Sequence, residues 1–202
     1  PRGAQTWECP LHTPDILASA NLVRAYTLGY ELTGDRHFLE QARYWAWTGL
    51  PFVYLVNPTG QAIGPYATIA VFGATHWKAP NWMGMPVQWC GLVYADALYR
   101  LARYDESANW KQVADGITAS GIQQSWDATD TALQGLLPDS VNLRPQTRNP
   151  VAINPGTVQA NDAAAGAAAG FVGGMILGGA LAGAGRPEPI DEEVVVRRRR
   201  PV

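Results

Sequence analysis

The chain has 202 residues, of which 47% are hydrophobic and 16% charged, so it can bury one core of ordinary size but not two. Its formal net charge of −2 provides no overall positive field, so we expect no nucleic acid partner. The two cysteines, Cys9 and Cys90, could form a disulfide or remain as two buried thiols. The sequence lacks the Cys/His spacing of a zinc site, so we expect no metal and no cofactor.

The first predicted elements are two helices joined by a short turn. Thr13-Pro14-Asp15 supplies an N-cap hydroxyl, a proline suited to the first helical position and an acid for the first turn. Apolar residues at three-to-four spacing continue until Thr33-Gly34-Asp35, where Asp35 caps a second helix that runs to Leu50. So short a turn requires the two helices to be antiparallel.

Residues 51–90 form a long segment rich in glycine, proline and aromatic residues, and a loop of this length is usually functional. Flat aromatic rings can stack on the apolar faces of sugars, and a lysine can neutralise a uronate carboxylate. Packing of the loop onto the helices is the alternative. The predicted substrate-binding residues are Tyr66, Trp77, Lys78, Trp82 and Trp89.

A second helical pair is predicted after this loop. Helical periodicity returns from Trp89 to Arg103, and a turn at 104–107 leads to a helix over 108–124. Residues 29–42 align with residues 98–114, which indicates a repeated unit. After Trp126 the sequence is polar and turn-rich, like a loop that leaves the helical domain.

The turn Tyr30-Glu31-Leu32-Thr33-Gly34-Asp35, followed by Phe38, Leu39 and Ala42, resembles the helix-joining turn of six-hairpin (α/α) toroid glycosidases and related polysaccharide lyases. This resemblance covers about residues 13–125 and implies an all-α fold of antiparallel helical hairpins. It also implies a sugar-binding cleft at one end of the toroid. A whole ring needs several hundred residues, and the chain begins at Pro1 without a signal peptide, so we expect a fragment with an incomplete toroid.

The candidate catalytic acids follow from the two carboxyl groups that glycoside hydrolysis usually needs. Glu8 comes first, because Trp7 and Cys9 could desolvate it and raise its pKa. Asp127 is a further candidate. Asp15 fits better as a first-turn helix acid, and Asp139 as a turn residue.

Two histidines suggest a different reaction. His12 and His76 could act as general base or proton shuttle in a polysaccharide lyase or an epimerase that acts on uronates. Lys78 or Arg144 would then neutralise the substrate carboxylate. Hydrogen-bonded structural histidines are the alternative.

The last part of the chain, residues 158–202, differs in character from residues 1–157. Ala163–Gly185 carries no charge and is long enough to cross a bilayer as a helix, which predicts membrane contact. Arg197–Arg200 would remain in the cytoplasm and leave residues 1–160 outside. A disordered tail and a shifted reading frame are the alternatives. A glycine-zipper stripe for self-association is formed by Gly166, Gly170, Gly174 and Gly178.

The sequence therefore predicts a partial α/α-hairpin domain over 1–157 and a Gly/Ala-rich helix or disordered tail over 158–202. Our leading hypothesis is an extracytoplasmic or membrane-anchored fragment of a glycoside hydrolase-like enzyme that binds an oligo- or polysaccharide. The alternatives are a non-catalytic, membrane-anchored module that self-associates through the glycine zipper, and the lyase or epimerase.

Overall fold

The computed structural model describes residues 15–71 and 85–153. This part of the chain is mainly helical, which confirms the predicted all-α class at that level. Predictions for residues 1–14, 72–84 and 154–202, including the whole Gly/Ala-rich tail, lie outside the described residues. The helices are Ile16–Thr33 (α1), Arg36–Gly49 (α2), Gln88–Leu101 (α3) and Trp110–Gln124 (α4), with a 3-10 turn at Leu50–Phe52 and antiparallel two-residue strands at Val141–Asn142 (β1) and Thr147–Arg148 (β2).

The start of α1 differs from the prediction. Asp15 is the N-cap, because its Oδ1 accepts a hydrogen bond of 2.5 Å from the backbone N–H of Ala18. The expectation that Asp15 lies inside the first turn is therefore wrong. A short acidic side chain next to the first helical residue reaches an otherwise unpaired N–H, which stabilises the helix start.

The turn between α1 and α2 confirms the prediction. Gly34 has a φ of 70°, a left-handed conformation that glycine adopts without steric cost, and its N–H donates to the carbonyl of Tyr30. Asp35 then caps α2 by accepting from the N–H of His37 at 2.9 Å. Further along, the Oγ of Ser19 lies 3.1 Å from the Oγ1 of Thr48, so the two helices run antiparallel.

Helix α3 lies parallel to α1. Arg24 pairs with Asp96 at 3.9 Å, and one helical turn or more further along both helices Glu31 pairs with Arg100 at 3.1 Å. The order of these contacts is the same along both helices, so the N-terminal ends of α1 and α3 lie at the same end of the domain.

Helix α4 runs antiparallel to α3. The hydroxyl of Tyr99 donates to Asp115 at 2.8 Å, whereas Gln88, at the start of α3, accepts from Gln124, at the end of α4, at 2.8 Å. The predicted start of α4 at residue 108 is displaced to Trp110, because the side chain of Asn109 caps the helix. All four helices contribute to one buried core.

An irregular layer covers the N-terminal ends of α1 and α3. We call residues 52–54, 66–71, 86–87 and 138–153 the cap layer; they are joined by isolated bridges and backbone hydrogen bonds. Within the cap layer, the segment 66–71 contacts three helices. Tyr66 packs on Gly116 of α4, Thr68 packs on Gly91 of α3, and the carbonyl of Ala70 accepts from the N–H of Ile16 in α1 at 3.0 Å.

Candidate functional site

The cap layer brings distant parts of the chain to the N-terminal ends of α1 and α3. Asp15 pairs with Val71, and Ile69 pairs with Pro86, both in antiparallel bridges. The start of α1, the 66–71 segment and the residues before α3 therefore meet at this end of the domain. Six candidates lie outside the described residues: Glu8, His12, His76, Trp77, Lys78 and Trp82.

Two carboxylates and one thiol lie together at this end of the domain. The thiol of Cys90 is free and buried in the first turn of α3. Burial raises its pKa well above the ordinary thiol value, and the negative charges of Asp15 and Asp139 raise it further. Backbone contacts place both acids at the cap layer, because Asp15 pairs with Val71, and Val141, two residues after Asp139, donates to the carbonyl of Pro86 at 3.0 Å. We call Asp15, Cys90 and Asp139 the two-acid site.

The two acids differ in their exposure. Asp15 is only 1% exposed, and its Oδ1 caps α1 by accepting from the N–H of Ala18. Asp139 is half-buried in the cap layer, where its backbone N–H donates to the carbonyl of Val151 at 2.7 Å. Asp139 is thus the acid of this pair that a molecule from solution reaches more easily.

The structure describes two of the predicted substrate-binding residues. Trp89 lies beside Cys90 in the first turn of α3, half-buried against the core. Tyr66 is also half-buried, and its ring lies over Gly116 of α4. Both aromatic residues therefore lie at the cap-layer end of the domain, on different helices.

A pair of buried glutamines connects Tyr66 to the helices. Gln88 donates from Nε2 to the carbonyl of Tyr66 at 3.2 Å and accepts at Oε1 from the N–H of Thr68 at 2.9 Å. Gln124 donates to the same Oε1 at 2.8 Å. Sequence analysis missed both glutamines, although a polar residue on an apolar helix face next to a predicted binding loop is a usable signal.

The remaining described catalytic candidate, Asp127, lies in an exposed turn after α4. Its Oδ1 accepts hydrogen bonds from the hydroxyl and the backbone N–H of Thr129, and these bonds lower its pKa below the ordinary aspartate value. Asp127 is therefore a carboxylate at neutral pH, which can accept a proton but cannot supply one. Arg144, the alternative to Lys78 for neutralising a substrate carboxylate, lies between β1 and β2. Its backbone carbonyl accepts a hydrogen bond from the side chain of Gln61.

Comparison with known proteins gives no relative: no protein-family model, no curated protein and no solved structure matches this chain. The similarity of Tyr30–Asp35 to the toroid glycosidases thus remains a resemblance in sequence. Within residues 15–71 and 85–153, no group of three or more His, Cys, Asp and Glu side chains could hold a metal ion. None of the helices described is both long and apolar enough to span a membrane.

Proposed function

We propose that the domain is part of a carbohydrate-active enzyme of the glycoside hydrolase type, which binds an oligo- or polysaccharide at the N-terminal ends of α1 and α3. The observation that carries this proposal is the two-acid site. Asp15 and Asp139 are far apart in sequence, yet both lie at the cap layer, where Asp15 pairs with Val71 and Asp139 donates its N–H to the carbonyl of Val151 at 2.7 Å. Acid–base cleavage of a glycosidic bond requires two carboxyl groups that flank the bond, and this end of the domain supplies the half-buried Asp139 as one of them.

The arrangement of the helices supports an incomplete (α/α) toroid as the architecture. Helices α1 and α3 are parallel neighbours, and each is followed by an antiparallel partner. Further pairs added in the same way would extend a ring with the N-terminal ends of one layer of helices at one end. In a ring of this kind, the cap-layer end is the end that would form the cleft.

We assign the acid–base roles first to Asp139, because it is the more accessible acid of the two-acid site. Asp15 is buried and caps α1, so the second carboxylate that touches the substrate would be Glu8 or Asp127. Glu8, His12 and His76, which lie outside the described residues, remain candidates, and Asp127 remains a candidate base. The sugar would stack on Tyr66 and Trp89, with Trp77, Lys78 and Trp82 as further predicted contacts. An extracytoplasmic or membrane-anchored location is part of the same proposal.

The experiment that tests the proposal measures the reducing ends that the full chain releases from a panel of neutral and uronate-containing oligosaccharides. The decisive variant is Asp139→Asn, which keeps the size of the side chain and removes the acid. Asp130→Asn is the matched control, because Asp130 is also a half-buried turn aspartate, whose Oδ1 accepts from the N–H groups of Ala132 and Leu133.

We expect Asp139→Asn to reduce the rate on the best substrate by about 100-fold or more, the usual effect of losing a general acid or base. Asp130→Asn should leave the rate unchanged. Equal rates for wild type and Asp139→Asn would reject Asp139 as a catalytic residue. Release of an unsaturated uronate product would instead identify a lyase, and a full chain that cleaves no sugar but self-associates in membranes would favour the non-catalytic module.

A further inference from the structure

Tyr66 has a backbone conformation that its residue type disfavours. Its φ is 56°, in the left-handed region, where the Cβ of a non-glycine residue crowds the backbone. A glycine at this position would adopt the same conformation without that cost. The presence of a tyrosine indicates that the ring contributes something that the turn itself does not need, and strained residues of this kind are concentrated at functional sites.

The side chain of Gln88 bonds to the backbone at Tyr66 and just after it. Its amide bonds to the carbonyl of Tyr66 and to the N–H of Thr68, as a neighbouring strand would do. Gln88 is only 1% exposed, and two more bonds fix its amide: Nε2 donates to the carbonyl of Ile117 at 2.8 Å, and Oε1 accepts from Gln124 at 2.8 Å. A rotation of the amide by 180° would place donors against donors and acceptors against acceptors.

Helix α4 completes the support for the ring. A Cβ added to Gly116 would lie 2.4 to 2.6 Å from three ring atoms of Tyr66, so the ring lies directly on the helix backbone. Helix α4 therefore supports the ring from one side, while the residue as a whole is only half-buried. A ring held in this way loses little further freedom when a ligand stacks on it, which favours binding.

We propose that Gln88 is a positioning residue that keeps Tyr66 in its left-handed conformation and thereby presents the ring to a sugar. This proposal rests on the proposed function for its ligand, but not for its structural step. Gln124 acts through Gln88, because it orients the Gln88 amide.

The first test is independent of any sugar and uses nuclear magnetic resonance on the full chain. In the left-handed region, the amide and α hydrogens of one residue lie unusually close together, so Tyr66 should give a strong Overhauser effect between them. We expect Gln88→Met, which has a similar size and no amide, to weaken this signal to the intensity that residues with negative φ give. Gln146→Met is the matched control, because the Gln146 amide bonds in the same way to the N–H and carbonyl of Ile63 in the same loop, and should leave Tyr66 unchanged.

The second test measures the binding of cellohexaose and of hexagalacturonate to the full chain by tryptophan fluorescence. We expect Tyr66→Ala and Gln88→Met each to weaken the binding of the better probe by about tenfold. The double variant should be no weaker than Tyr66→Ala alone, since Gln88 acts through the ring. Gln146→Met should bind like the wild type.

The outcomes separate the two proposals. If the Overhauser signal of Tyr66 keeps its full strength in Gln88→Met, or if Gln88→Met binds the probe as well as the wild type, the positioning role is overturned. If neither probe binds the wild type, the sugar-presenting role and the proposed function fail for these sugars, while the Overhauser result still decides the structural step. Should Gln88→Met fail to fold, Gln88→Glu replaces it, because glutamate keeps the size and the acceptor but loses the donor to Tyr66.

Discussion

Arg43 and Asp105 connect the two helical pairs of this domain. The guanidinium of Arg43, in the middle of α2, donates to Oδ1 of Asp105 from Nε at 3.0 Å and from Nη2 at 2.8 Å. Asp105 lies in the turn between α3 and α4, is 4% exposed, and also accepts from Trp110 and Ser107 at 2.7 Å each. One buried carboxylate thus joins α2, the α3–α4 turn and the start of α4.

Loss of the Asp105 charge should destabilise the domain. We expect Asp105→Asn to lower the free energy of unfolding by about 2 kcal/mol, because a buried hydrogen-bonded partner is lost while the half-exposed Arg43 can partly return to water. Asp115→Asn is the control. Its pair with Lys111 is exposed on α4 and should contribute less than about 0.5 kcal/mol. Urea titrations measure both values, and equal effects of the two substitutions would contradict the prediction.

The stability that Asp105 provides should depend on pH in one direction. Burial acts to raise the pKa of Asp105, but the hydrogen bonds from Arg43, Trp110 and Ser107 outweigh it, so its pKa lies below the ordinary value. A carboxyl with a lowered folded-state pKa stabilises the protein above its unfolded pKa, about 3.9, and loses that contribution as the pH falls through the folded-state pKa. The difference in unfolding free energy between wild type and Asp105→Asn should be constant from about pH 5 to 7 and should shrink below about pH 4. A difference that grows towards acid pH would refute the prediction.

Two glycines of α4 should respond in opposite ways to alanine. In a helix interior this substitution ordinarily stabilises by about 1 kcal/mol. At Gly116, however, the new Cβ would lie 2.4 Å from the Cγ of Tyr66, so we expect a net loss of about 1 to 3 kcal/mol. At Gly121 the nearest atom is a Leu92 methyl at 3.1 Å, which can move, so Gly121→Ala should range from neutral to about 1 kcal/mol more stable. Thermal and urea unfolding compare the two variants, and a stabilising Gly116→Ala would show that the Tyr66 ring is not held against α4.

The thiol of Cys90 should react slowly in the folded protein. It is fully buried, and burial together with the charges of Asp15 and Asp139 raises its pKa, so the reactive thiolate is scarce. In a Cys9→Ser variant, where Cys90 is the remaining cysteine, we expect a disulfide reagent at pH 8 to react about 100-fold more slowly than in urea. Neutral substitution of Asp139, as in Asp139→Asn, should raise the native rate slightly. Rapid native labelling, or a Cys9–Cys90 disulfide in the wild type, would contradict this environment for Cys90.

The local elements of the fold could be predicted because their causes lie in adjacent residues. The turn at Thr33-Gly34-Asp35 is an example: a glycine that tolerates the left-handed conformation comes directly before an aspartate that caps the next helix. The periodic apolar residues of α3 and α4 likewise located these helices to within about two residues. The start of α1 was misplaced because Thr13 and Asp15 are both good N-caps, and a choice between them depends on the contacts around the helix end.

The sequence by itself therefore determined the helical class, the turn between α1 and α2 and the aromatic character of the loop. Only the tertiary structure brought Asp15 and Asp139 to the same cap layer and joined Gln88 to the backbone of Tyr66. Taken singly, Asp15 has the features of a helix cap, which it also is, and Asp139 has those of a turn residue. Their common location depends on how the cap layer crosses the ends of two helices, and contacts between such distant segments leave no periodic or local signal in the chain.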